Sequence, residues 1–304
     1  MEELTSEPKV TIMIRTNLSL VTALALAAFA WPGHADELSE KGREIFNKFK
    51  HAVVTVEVVQ KTTYSAQGRT SSPNESKQDL TGTVIDPSGL TVLSLSACDP
   101  SELYQRAMSR RGSDYKIDTE ISDVKILLND GTEIPSEIVL RDKDLDLAFI
   151  RPKTKPAKPM DAVDLSDSGK AQLLDQYITL NRLNKAAGRA YAASVERITA
   201  VVERPRTFYI PDSTMTSTSL GSPGFTLDGK ILGLDVMRTV GSDDDGMHNF
   251  RPEGITSILL PAADILKAAK QAPEAKGDSK ATDASKESTE SKDSDKPAEA
   301  QEQK

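Results

Sequence analysis

TGTVIDPSGLTVLSLSACDP, Thr81–Pro100, sets two short apolar runs on either side of Pro87-Ser88-Gly89. LTGTVID and GLTVLSL are rich in β-branched residues, and a Pro-Ser-Gly centre reverses a chain readily, so the segment reads as strand, tight turn, strand. Asp99-Pro100 then reads as a helix start, with Asp99 as cap and Pro100 at the first position, running to about Arg110. A second stretch, TSLGSPGFTLDGKILGLD from Thr218 to Asp235, has a similar build, with a Gly/Ser/Pro turn, a short run, Asp228-Gly229, and an apolar strand.

Working outward, AVVTVEVV (Ala52–Val59) reads as a strand and the Ser-rich Gln60–Asp79 as a mobile polar loop. DVKILL, SEIVLRD and LAFIRP are further strands, and a Pro/Lys-rich link, RPKTKPAKPMD, closes this half at 151–161. A second series follows: DQYITLNRL, AYAASVERITAVVE, TFYIPD, GKILGLDVMR and ITSILLP. Amphipathic helices bracket the strands, Glu37–Lys50 with Leu38, Ile45, Phe46 and Phe49 near one face, and Ala262–Lys270 after Pro261. Many short strands on both sides of a linker imply an all-β chain of two antiparallel barrels or sandwiches.

The flanks are of another kind. Arg15 precedes the apolar run Leu18–Trp31, then PGHA, so residues 1–35 read as a signal peptide with cleavage after Ala35, and Met13 as a second possible start. Pro32 breaks the run too early for a good membrane span, so no stable membrane insertion is expected once the leader is cleaved. Residues 271–304 hold no large apolar side chain, carry nine acidic against six basic residues, and are expected to be disordered. A net charge of −8 argues against a general nucleic-acid partner. The single cysteine, Cys98, excludes an intrachain disulfide and a cysteine-built metal site.

The two quoted stretches resemble the HtrA/Deg-type serine peptidases. TGTVIDPSGLTVLS is similar to the family's strand-turn-strand before its catalytic histidine, and VKILLNDGTEIPSEIVLRDKDLDLAFIRP to the segment bearing the aspartate. ASVERITAVVE resembles the strand before the nucleophile loop, and EGITSILLP the strand beside the specificity pocket. The resemblance covers Glu37–Lys270 and implies a trypsin-like pair of six-stranded barrels. The expected layout is 36–270 as the peptidase-type domain, with barrel one over about 52–151, a linker at 152–161, barrel two over about 162–260 and a helix at 261–270. No PDZ domain is expected after them.

The same resemblance places the triad positions on Ser96, Asp146 and Leu220, and the oxyanion-hole glycine on Thr218. The spacer from Pro223 to Asp228-Gly229 fixes this alignment, with Gly221 and Ser222 at the loop's two following glycines. A serine nucleophile needs a base to take its proton. Leu220 has no hydroxyl, Ser96 cannot accept a proton near neutral pH, and a β-branched Thr218 resists the positive φ of a tight turn. The expectation is a pseudoprotease: an exported, non-catalytic protein that binds a peptide or protein partner, without cofactor or metal. Two alternatives stay open. One is an active serine endopeptidase with displaced residues, Ser219 and His248 being the candidates; the other is a structural envelope protein held by its tail. His51 reads as a helix-end residue, Cys98 as a small buried residue rather than a reactive thiol, and Ser242–Gly246 as a solvated acidic turn rather than a calcium loop. Ser101–Thr119, with its basic YQRAMSRRGSDYK, is a candidate partner contact.

Overall fold

The structure, a computed structural model, describes residues 35–66, 68–101, 116–212, 219–239 and 255–273. Residues 1–34, which are all but the last residue of the expected signal peptide, most of the 101–119 segment, Thr218, the 242–246 turn, His248 and the tail from 274 lie outside the described residues.

Helix α1 (Ala35–Phe49) leads through a short 3-10 turn into seven strands, β1 (Val53–Ala66), β2 (Arg69–Thr70), β3 (Asn74–Val84), β4 (Thr91–Ser94), β5 (Lys116–Leu127), β6 (Glu133–Asp142) and β7 (Leu147–Pro152). They run β1-β3-β4-β7-β6-β5, and β1 pairs back with β5, so six antiparallel strands close with β2 as an outlier on β1. The second set is β8 (Gln176–Arg182), β9 (Tyr191–Val202), β10 (Phe208–Pro211), β11 (Pro223–Thr226), β12 (Ile231–Thr239) and β13 (Ile255–Pro261). It closes as β10-β13-β12-β11-β8-β9, and helix α3 (Ala262–Ala269) follows. Two six-stranded antiparallel barrels are therefore present, as the sequence implied.

The opening stretch shows how alternation joins them. Thr81 and Thr83 point from β3 toward barrel two, where Thr81 Oγ1 donates to the Arg182 carbonyl at 3.3 Å and Thr83 Oγ1 to the Gly221 carbonyl at 2.9 Å. Gly82, between them, points inward: a Cβ there would sit 2.7 Å from a Val56 methyl, so the interior accepts no side chain. The turn is held by Gly89 N donating to Asp86 O at 2.9 Å, with Gly89 at φ +93. Phe49 of α1 stacks on Phe225 of β11 with ring centroids 4.4 Å apart, which ties the first helix to the second barrel.

Two local readings are corrected. Gln60–Asp79 is not a mobile loop: β1 runs on to Ala66 and β3 begins at Asn74, paired from Val53↔Thr83 to Thr62↔Asn74. The run is exposed and polar, so no apolar alternation advertised the strand; its backbone pairs with β3 on one side and β5 on the other. The strand of GLTVLSL also stops at Ser94. Ser94 Oγ accepts from Ala97 N at 3.3 Å and caps a one-turn helix, α2 (Leu95–Cys98), which Asp99 closes by donating its N–H to the Leu95 carbonyl at 2.7 Å. Asp99 Oδ1 then accepts from Ser101 N at 3.2 Å, and the remainder of the expected helix lies outside the described residues.

Candidate functional site

A cleft of about 510 Å³ lies where the barrels meet, and it contains Ser96 and Asp146. Asp146 sits in the turn before β7 at φ +58, a left-handed conformation that Asp tolerates better than most residues. Its side chain is buried and its acceptors are taken. Oδ2 accepts from Ser94 Oγ at 2.5 Å and from Met237 N at 2.8 Å; Oδ1 accepts from Ser96 N at 2.7 Å. Its carbonyl takes Leu95 N at 2.9 Å. Burial pushes the carboxyl above its ordinary range, while the Ser94, Ser96 and Met237 hydrogen bonds pull it back. Met237 belongs to β12, so one carboxylate fastens the α2 turn of barrel one to a strand of barrel two.

Ser96 is thus brought to Asp146 through its backbone N–H, the group at the expected histidine position contributing a donor rather than a base. Leu220 is buried, 5% exposed, in a turn where Ser222 N donates to the Ser219 carbonyl at 3.1 Å. Gly221 follows at φ +89, its N–H 2.7 Å from the Asp235 carbonyl. A Cβ at Gly221 would lie 2.3 Å from the Thr81 carbonyl oxygen, so this turn is pressed against barrel one and only glycine fits. Ser219 is in the same turn. Thr218 and His248 lie outside the described residues. His51 Nδ1 is instead 3.2 Å from Tyr191 Oη, away from the cleft. Cys98 is buried and donates to the Leu95 carbonyl at 3.3 Å; burial and the nearby Asp99 push its thiol up to about 12, the opposite of an activated cysteine. No cluster of three or more His, Cys, Asp or Glu able to hold a metal ion occurs among the described residues.

Three features escaped the sequence reading. The first is Ser94, which lies inside an apolar run and shows its role only once β4 bends. The second is the open edge of β12. β13 pairs with it from Gly233 to Thr239, but β11 covers only Ile231–Leu234, so Val236–Thr239 has no strand on that side among the described residues. The third is a buried polar set inside barrel two, where Tyr177 Oη donates to Glu196 Oε2 at 2.7 Å and Asp235 is 2% exposed. Burial, then the neighbouring Glu196, raises the Asp235 carboxyl well above its ordinary value. The acid in GKILGLDV was the available signal.

Among solved structures the chain is similar to the MamO protease domain from Magnetospirillum magneticum, with 15% identity, a TM-score of 0.45, and coverage of 73% of this chain and 97% of that one. It is also similar to an HtrA-type protease, AlgW, with a tripeptide, at 13% identity and a TM-score of 0.46, covering 75% of this chain and spanning 62% of the other. No protein-family model and no curated protein matches. The two closed barrels and the cleft between them decide the architecture. The fold is trypsin-like. Within it, Asp146 serves as a fastener whose acceptors face backbone and hydroxyl donors. No described helix is long and apolar enough to cross a membrane.

Proposed function

We propose that this trypsin-like chain is an exported, non-catalytic protein that binds an extended peptide or an unfolded protein segment in the cleft between its barrels. The observation that carries the reading is the second half of β12, which no described strand covers on that side and which lies along the cleft wall through Met237 and Arg238. An exposed strand edge offers main-chain donors and acceptors in register, and an extended peptide adds to it as one more strand. Asp146 already takes the Met237 N–H, so the incoming strand would pair with the Met237 carbonyl and with Thr239. The apolar side chains of the lining, Leu145 and Met237, would meet alternate side chains of that strand. The other support is chemical. Ser96 brings no base and Leu220 no nucleophile, and the carboxylate of Asp146 is bound by Ser94, Ser96 and Met237.

The test uses the purified chain with unfolded casein and a peptide library, following cleavage and retention together. Retention without cleavage is the expected result. Cleavage that survives repurification and is blocked by a serine-directed inhibitor would overturn the reading and point to Ser219 and His248.

A further inference from the structure

The cleft is not uniformly charged. Its apolar lining comes from Leu95, Leu145, Met237, Ile258 and Leu260, of which Leu145 and Met237 are the more exposed. The charged groups that barrel two contributes are both cationic, Arg206 and Arg238. Arg238 sits on the open edge of β12 with its guanidinium carbon 4.8 Å above the Phe208 ring, and Arg206 lies two residues before Phe208, so the two border one corner. Neither makes an ion pair with a described residue. Barrel one offers a mixed wall, with Arg141 and Lys143 against Asp99, Asp118, Asp144 and the hydrogen-bonded Asp146. In a chain of net charge −8, a barrel-two wall whose charged lining is two guanidiniums, beside a strand edge that no described strand covers, is a local reversal.

From this polarity we infer that the cleft selects acidic peptides: an extended segment with an apolar side chain against Leu145 and Met237 and a carboxylate directed at Arg206 and Arg238. This rests on the peptide-binding reading above. Guanidinium suits the ligand because its planar fork pairs two N–H groups with one carboxylate, and stacking on Phe208 leaves the Arg238 fork pre-oriented. Lys-flanked peptides meet like charge on that wall, which gives discrimination as well as attraction.

Fluorescence-polarisation titrations of the full chain would use extended peptides sharing one apolar centre, flanked by Glu, Gln or Lys. The Glu peptide is expected to bind about tenfold tighter than the Gln peptide, with the Lys peptide weakest and the differences shrinking as salt rises. The R206Q/R238Q double variant should lose the preference while still binding the Gln peptide, and R206K/R238K should keep part of it. Equal binding of all flanks by the natural chain would overturn the charge inference and leave the peptide-binding reading intact. A preference that survives in R206Q/R238Q overturns it too. Failure of every peptide to bind would remove both. If R206Q/R238Q melts early, the single R206Q variant, which leaves the Phe208 stack in place, decides the same point.

Discussion

The two barrels share a strand count and a topology of closure, yet their interiors are chemically different. Barrel one is filled from β1, β3, β4, β5 and β7 by Val54, Val56, Val84, Leu93, Ile126 and Ile150, an aliphatic interior with Cys98 beside it. Barrel two is filled by Tyr177, Ile198, Tyr209, Leu232 and Leu259, and the same strands bury Glu196 and Asp235. The acid that barrel one buries on β1, Glu57, is paired, with Lys77 Nζ at 2.7 Å and Arg189 at 3.7 Å. The second barrel carries acids whose desolvation is offset only in part, by the Tyr177 and Ser194 hydroxyls on Glu196. The barrels therefore differ in how their buried acids are satisfied, and barrel two also carries the β12 edge that no described strand covers.

The largest effect that tests this difference is truncation. Ile126→Ala in barrel one should cost about 4 kcal/mol, because the void stays dry and its neighbours cannot collapse. Ile198→Ala in barrel two should cost about 2 kcal/mol, because a void beside hydroxyl and carboxyl groups can admit water. Equal losses in denaturant midpoints at constant slope would erase the distinction.

Next comes the fastener between the barrels. Asp146→Ala strands two backbone N–H groups and a hydroxyl, at a residue with φ +58, and should destabilise by about 3 kcal/mol. Asp146→Asn keeps an acceptor and a side chain suited to that conformation, and should lose about half as much. Peptide retention should fall in proportion to folded protein and no further. A loss of binding without a loss of stability would mean that the carboxylate touches the ligand rather than holding the wall.

Acidity probes the interior of barrel two directly. The folded-state pKa of Asp235 is raised from 3.8, so its contribution is fully present below the ordinary carboxylate range and is lost as pH rises toward the folded pKa. The slope for one proton approaches about 1.4 kcal/mol per pH unit inside that window. Asp235→Asn should flatten it and leave the protein about 2 kcal/mol more stable at pH 7, measured by urea melts at several pH values. An unchanged pH profile would show that Asp235 ionises freely in the folded state, and that barrel two is wetter than its burial suggests.

Much of this was legible in the residues, and the exceptions follow a rule. Strands buried on both faces, such as AVVTVEVV and LAFIRP, announced themselves by continuous apolar runs, and the turn at Pro87-Ser88-Gly89 by its composition. The extension of β1 through Thr62, Thr63 and Tyr64 did not, because exposed strand pairing is a backbone property with no apolar signature. Asp146 was found by position in DLDLAFI, but not its partners: Ser94 is close in space and 52 residues away in sequence, and Met237 is 91 away. Long-range hydrogen bonds of this kind depend on how barrels dock, which local pattern does not encode. The open half of β12 is the same case, since an unpaired edge is a statement about where β11 ends.

The smallest effect sharpens the account of the turn that carries Leu220. Ser222 stands where the resemblance expects glycine, and its Oγ is fully buried without a hydrogen-bond partner among the described residues. A buried hydroxyl that loses water and gains nothing costs about 1 kcal/mol or more. Removing it, in Ser222→Ala, should therefore stabilise by about 0.5 kcal/mol, since the small void offsets part of the gain. The backbone would be untouched: Ser222 N still meets the Ser219 carbonyl and Asp235 N still meets the Ser222 carbonyl. If Ser222→Ala instead loses about 1 kcal/mol, the hydroxyl has a partner in solution, and an ordered water near Asp235 is the chemistry that fits. That result would also weaken the pH effect expected of Asp235, because the same water would lower the cost of its charge. The two measurements constrain each other, and together they decide whether the interior of barrel two is strained and dry or hydrated and relaxed.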